Sequence, residues 1–211
     1  MKRFDQYTLN QYLHELAGGD ATPGGGSAAA LIGALGAALV SMVGNLTIGR
    51  KKYAAVEAEM QQMTQSVCKL QEELLLLCSQ DTEAYDLVMA AYKLPKATDE
   101  DKAARKQAIA DSLRAACGVP LQIAEAAIGV LQLAEQAAKQ GNVNAVSDAA
   151  VGGIAAHAAL HSALLNVRIN LKSLPKDDWS AQTAARVAEL AEQGNQLHQA
   201  VQCLCDEKLQ S

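Results

Sequence analysis

Two stretches of this chain repeat small residues at helical spacing, and nothing else in the sequence restricts the fold as strongly. Ala30, Gly33, Ala34 and Ala37 form one set; Ala149, Gly152, Gly153 and Ala156 form the other. Residues at i, i+3, i+4 and i+7 share one face of an α-helix. A face without bulk lets two helix axes approach below the usual separation of about 8–10 Å. The expected architecture is all-α, a bundle of about six helices with these two at the centre and longer amphipathic helices wrapped around them. Composition agrees. Half of the 211 residues are hydrophobic, yet aromatics make up only 3%, and no run alternates apolar and polar residues as a half-buried strand does. The length suits one domain over 1–211 with room for a sizeable core.

Local signals place the helices. The first spans 9–17, with Thr8 as N-cap and Gly18-Gly19 as stop. The second spans 27–48, capped by Ser27 after Gly24-Gly25-Gly26 and closed by Gly49. The third spans 53–92, with Val56, Met60, Met63, Val67, Leu70, Leu74 and Leu77 recurring every three or four residues. Forty residues make about 60 Å of helix, long enough to reach a partner subunit. The fourth opens at Thr98-Asp99-Glu100-Asp101, ends near 141, and is expected to kink or split near Gly118 because Pro120 lies inside it. The fifth spans 144–171 and the sixth follows Pro175-Lys176-Asp177-Asp178 to about 209.

Charge and cysteine usage narrow the function classes. A net charge of −5 offers no general basic face for nucleic acid. Cys68, Cys78, Cys117, Cys203 and Cys205 are odd in number and scattered among apolar helix residues, as expected of small hydrophobes in a reducing, cytoplasmic setting. Residues 27–46 match a bilayer span in length, but Ala and Gly dominate them and Asn45 interrupts them. A buried central helix is the expectation, not a membrane span.

Four places carry polar groups suited to chemistry. The loop Pro23, Gly24, Gly25, Gly26, Ser27 sets backbone N–H groups at the positive end of a helix dipole, which suits an anion or a tight turn equally. It is no P-loop, since glycines stand where Lys and Ser/Thr should follow. Arg50, Lys51 and Lys52 exceed what helix capping needs and are followed by Tyr53, an aromatic that can stack on a ring. Asn144, Ser147 and Asp148 open a helix so apolar that its first turn is expected to be buried; a carboxylate there can cap or serve as acid or base. Asn166 and Asn170 share a face further along, where buried amides satisfy each other or a ligand. Asp81 and Tyr85, at i and i+4, share a face of the third helix, solvated or functional. His157 and His161 form an i, i+4 pair without the Glu of a zinc-protease motif, and no metal is expected.

The blocks "TPGGGSAAALIGALGAALVSMVGNLTIGRKKY", "DTEAYDLVMAAYKLPKAT" and "SDAAVGGIAAHAALHSALLNVRIN", in that order, resemble the cyclodeaminase/cyclohydrolase family of folate enzymes, which includes the C-terminal half of formiminotransferase-cyclodeaminase. The resemblance spans nearly the whole chain. It implies an all-helical homodimer acting without metal or organic cofactor on the one-carbon unit held between N5 and N10 of a reduced folate. Carried over by position, it puts Pro23 to Ser27 along the folate, Lys51, Lys52 and Tyr53 nearby, and Asp148 beside the reacting carbon as the catalytic group. Family members often have Gly after "SDA", where this chain has Ala150 after Ala149.

The residues suit such a ligand. Arg50, Lys51 and Lys52 match an anionic, possibly polyglutamylated tail; the glycine loop with Asn166 and Asn170 matches the pterin edge; Asp81, Tyr85, Asn144 and Ser147 are further candidate contacts. The expected reaction converts 5-formimino-tetrahydrofolate to 5,10-methenyl-tetrahydrofolate with release of ammonia. Hydrolysis of the methenyl compound to 10-formyl-tetrahydrofolate on the same site, and a non-catalytic helical dimerisation module, remain open alternatives.

Overall fold

The structure is a computed structural model that describes residues 4–210. Among them are six α-helices, three short 3-10 turns and no strand: α1 (Leu9–Leu16), α2 (Gly25–Thr47), α3 (Glu57–Tyr92), α4 (Asp99–Gln140), α5 (Val146–Lys172) and α6 (Asp178–Gln210). Consecutive long helices run antiparallel. Met60, Met63, Leu74, Ile123, Leu131, Leu160, Leu164 and Leu190 are the largest fully buried side chains, so the core draws on α3, α4, α5 and α6 together.

The two small-residue helices meet as their spacing predicts. A Cβ added at Gly36 would lie 2.8 Å from the Gly152 carbonyl oxygen and 3.1 Å from the Ala156 nitrogen, so backbone faces backbone where α2 crosses α5. Both helices also have an outward side. Leu35, Met42 and Leu46 on α2, and Val151, Ile154, Leu165 and Ile169 on α5, are exposed at helical spacing, with Leu165 and Ile169 about 60% exposed (61% and 60%). Three segments, Gly25–Thr47, Asp99–Gln140 and Val143–Lys172, are long and apolar enough to cross a membrane, with 50–61% of their most apolar stretches buried within the protein.

Several boundaries differ from expectation for physical reasons. α2 begins at Gly25 with Gly24 as its cap, so Ser27 is not the N-cap but a fully buried member of the first turn. The third helix starts late: a 3-10 turn over Lys51–Val56 precedes it, with Tyr53 at non-helical φ −113°, ψ 15°. Arg50, Lys51 and Lys52 therefore lie beyond the end of α2 and do not cap it.

α4 does not split at Pro120. Proline there cannot donate to the carbonyl of Ala116, four residues back. The Asn170 side chain, reaching over from α5, donates Nδ2–H to that oxygen at 3.1 Å. One cross-helix bond thus replaces the missing rung and lets a 42-residue helix continue. Among the described cysteines none is in a disulfide; Cys78, Cys117 and Cys205 are buried as small hydrophobes, whereas Cys68 and Cys203 are exposed.

Candidate active site

The glycine loop, α3, the Pro120 stretch of α4 and the C-terminal half of α5 enclose a pocket of about 310 Å³. Gly24, Gly25 and Gly26 form its mouth, Asp81, Tyr85 and Val88 one wall, and Ala116 and Pro120 the floor; Asn166, Ile169 and Asn170 close the other side. Sequence reasoning grouped the loop with Asn166 and Asn170 and added Asp81 and Tyr85 as further contacts of the same ligand. The fold brings them to one place.

Asp81 dominates the pocket electrostatically. Its carboxylate accepts the Ser27 backbone N–H at 2.9 Å, in the first turn of α2. The positive helix end that the glycine loop creates is therefore answered by the protein's own carboxylate. Burial pushes the Asp81 carboxyl above the ordinary carboxylate range, and the Ser27 N–H offsets only part of that rise. Gly26 is required for this arrangement: a Cβ there would lie 2.6 Å from Asp81 Oδ2 and closer still to Oδ1.

A buried relay supports the turn from behind. Ser27 Oγ is 3.0 Å from the Tyr12 hydroxyl and 3.0 Å from Cys78 Sγ. Burial pushes the Tyr12 phenol well above its usual value, so it stays protonated and available as a donor. Tyr12 is fixed by edge-to-face packing against Phe4, at 5.7 Å between ring centroids. The Tyr12 and Cys78 contacts were not foreseen, and a lone Tyr on a short amphipathic helix gives no signal for them.

The two amides do not satisfy each other, which their spacing left open. Asn166 donates Nδ2–H to the Ser162 carbonyl at 2.8 Å, and Asn170 donates to Ala116. Pro120 held the signal for the Asn170–Ala116 bond, because a mid-helix proline frees a carbonyl that some donor must serve.

The remaining candidates lie elsewhere in the chain. Asp148, half-buried, and the exposed Asn144 and Ser147 sit at the opening of α5. Eighteen residues separate Asp148 from Asn166, about 27 Å along the helix. Tyr53 is tied into the same end: its hydroxyl accepts the Val143 N–H at 3.0 Å and approaches Asn142 Oδ1 at 3.4 Å. The Asn142 N–H donates to Thr47 Oγ1 at 2.9 Å, which joins the end of α2 to the start of α5. Tyr53 thus has a structural role. The exposed Arg50, Lys51 and Lys52 stand beside it, with Lys52 Nζ 5.5 Å from the Tyr53 ring centroid. Within one chain, Asp148 and the cations do not meet the glycine loop.

Comparison with known proteins agrees with this architecture. The family model described as formiminotransferase-cyclodeaminase matches residues 8–189. A methenyltetrahydrofolate cyclohydrolase of Methylorubrum extorquens is 50% identical over 167 residues, covering 79% of this chain and 80% of that protein. The formimidoyltransferase-cyclodeaminase of Rattus norvegicus is 34% identical over 186 residues, 88% of this chain but 34% of its own length. The chain therefore spans about a third of that relative. A crystal structure of formiminotetrahydrofolate cyclodeaminase from Thermotoga maritima superposes with a TM-score of 0.88 at 26% identity, over 97% of this chain and 98% of the other. On the family match, the identities and the shared helical fold, this chain belongs to the formiminotransferase-cyclodeaminase family.

Proposed function

We propose that this chain hydrolyses 5,10-methenyl-tetrahydrofolate to 10-formyl-tetrahydrofolate, with Asp81 as the proton carrier. The carrying observation is a half-buried carboxylate of raised pKa in the wall of the pocket that gathers the glycine loop and both amides. The 50% identity to a cyclohydrolase of comparable length favours this reaction over the cyclodeamination expected from the sequence.

The methenyl carbon is cationic, so a carboxylate beside it stabilises the bound substrate. Asp81 takes a proton from water as the oxygen adds to that carbon, giving a tetrahedral intermediate. The carbon–N5 bond then breaks while protonated Asp81 returns its proton to N5. The new hydroxyl loses its proton to solvent, and the formyl group remains on N10. Asn166 and Asn170 each spend an N–H on backbone, so their carbonyl oxygens are suited to accept from the pterin's amino and ring N–H groups. No step calls for a metal or an organic cofactor.

Cyclodeamination is the second reading, favoured by the 0.88 superposition on a cyclodeaminase. The same carboxylate would then protonate the departing ammonia. The non-catalytic module is set aside, since a mere packing module has no use for a half-buried carboxylate of raised pKa held open to a pocket.

The homodimer expected from the resemblance explains the split between the two ends of the chain. The exposed apolar stripes of α2 and α5 suit a second copy, since contiguous apolar surface on a soluble protein marks an interface. A two-fold axis across these stripes runs the helices of the two copies antiparallel. The glycine loop of one copy then approaches Asp148 and the Arg50–Lys52 cations of the other, which would receive the anionic tail.

Offering 5-formimino- and 5,10-methenyl-tetrahydrofolate separately, and following the methenyl absorbance, tests the reaction. Accelerated loss with the methenyl compound supports hydrolysis. Appearance of the absorbance from the formimino compound, with no faster loss of the methenyl, supports cyclodeamination.

A further inference from the structure

The seam between α5 and α6 holds a polar cluster that takes no part in the pocket. His157 and His161, one turn apart on α5, converge with Asn195 of α6. His157 Nε2 is 2.9 Å from Asn195 Oδ1, His161 Nε2 is 3.1 Å from the same oxygen, and the two Nε2 atoms are 3.1 Å apart. His198, one turn beyond Asn195, stacks flat on the His157 ring at 4.2 Å and 10°. Both histidines are half-buried and Asn195 is exposed.

Hydrogen bonds can serve only two edges of this triangle at once. Each atom is either a donor or an acceptor: an imidazole nitrogen carries a proton or a lone pair, and an amide presents oxygen or NH₂. Three atoms with two roles always put two like groups on one edge. If both rings carry Nε2–H, both donate to Asn195 Oδ1, whose two lone pairs accept them, and the two nitrogens stand 3.1 Å apart with no bond between them. If one does, two lone pairs oppose each other. Reversing the amide lets its two N–H groups serve both rings and again leaves the Nε2–Nε2 edge unbonded.

A cation engages all three atoms at once, because each can offer it a lone pair. Ligand atoms about 2.1 Å from an octahedral ion lie about 3.0 Å apart when adjacent, against about 3.4 Å around a tetrahedral ion. The 2.9–3.1 Å edges match an octahedral face. Imidazole nitrogen suits Ni²⁺, Zn²⁺, Cu²⁺ and iron rather than Mg²⁺ or Ca²⁺.

We propose that His157, His161 and Asn195 form a facial site for a divalent first-row transition-metal ion that joins α5 to α6. No group of three or more His, Cys, Asp and Glu among the described residues is placed for a metal; the third donor here is a neutral amide, so affinity is moderate. Solvent reaches the site through Asn195 and fills the outward positions with water. The site is structural, since His161 and the pocket residue Asn166 point about 140° apart around α5.

The test is calorimetric titration of NiCl₂ into full-length protein without an affinity tag, after stripping with EDTA. One ion per chain is expected, with a raised melting temperature on binding. His157→Gln and His161→Gln should each weaken binding at least tenfold, and Asn195→Ala less. Absence of binding at millimolar Ni²⁺, or undiminished binding in either histidine variant, overturns the proposal. Should a variant fail to fold, Co²⁺-loaded wild type replaces it: two paramagnetically shifted imidazole N–H resonances are expected, and none would overturn the site.

Discussion

Replacing Gly26 by Ala is a sharp probe of the pocket, because it adds one methyl group where the protein has no room for it. The new Cβ would lie 2.6 Å from Asp81 Oδ2, whereas ordinary contact begins at 3.4 Å. Asp81 must therefore move by roughly 1 Å, and a displacement of that size in a catalytic group costs about 10²-fold in rate. Stability changes less. Loss of the charge-assisted Ser27 N–H bond costs about 1.5–3 kcal/mol, while Ala in place of Gly at a helical position returns about 0.4–1 kcal/mol. A net loss of about 0.5–2.6 kcal/mol lowers the melting temperature by about 1–10 °C for a domain of this size. The variant should therefore fold, retain folate binding within a few-fold, and lose most of its kcat in the methenyl-absorbance assay. Wild-type kcat and KM in this variant would refute the assignment of Asp81 to the chemistry.

Other perturbations test separate links. The folded-state pKa of Asp81 is raised, so the folded protein binds more protons than the unfolded chain between the ordinary carboxylate value and the raised one, and stability falls as pH rises through that window. Asp81→Asn removes this burden; urea melts should show the variant gaining stability over wild type at pH 7 and losing that gain near pH 3, and an equal offset at both would contradict the burial argument. Asn170→Ala orphans the Ala116 carbonyl beside Pro120 and should cost about 1–3 kcal/mol by chemical denaturation; a change under about 0.5 kcal/mol would show that water serves that oxygen instead. Leu165→Glu on the exposed stripe should leave a folded monomer in sedimentation analysis and abolish turnover; an active dimer would remove this face from the interface.

The fold was legible wherever a physical requirement acts through neighbouring turns of one helix. Small residues at i, i+3 and i+4 announced the close α2–α5 crossing, and α4 opens at Thr98 as expected, with Thr98 and Asp101 forming a capping box. Requirements met by distant partners were not legible. Ser27 reads as an N-cap, but Tyr12, Cys78 and the Asp81 contact draw it into the core. Pro120 reads as a break, but an amide from another helix repairs it. Asp148 reads as the acid beside the reacting carbon; within one chain it stands half-buried at the opening of α5, and Asp81 of α3 lines the pocket. An apolar neighbourhood in sequence says nothing of which face of a helix meets a cavity.

The decisive measurement is the single-turnover rate of Asp81→Asn beside that of Asp148→Asn, with folate affinity determined separately for each. Loss of at least 10²-fold in the Asp81 variant, with binding retained, is predicted. Near-normal turnover without the Asp81 carboxylate, alongside an inactive Asp148 variant, would contradict it.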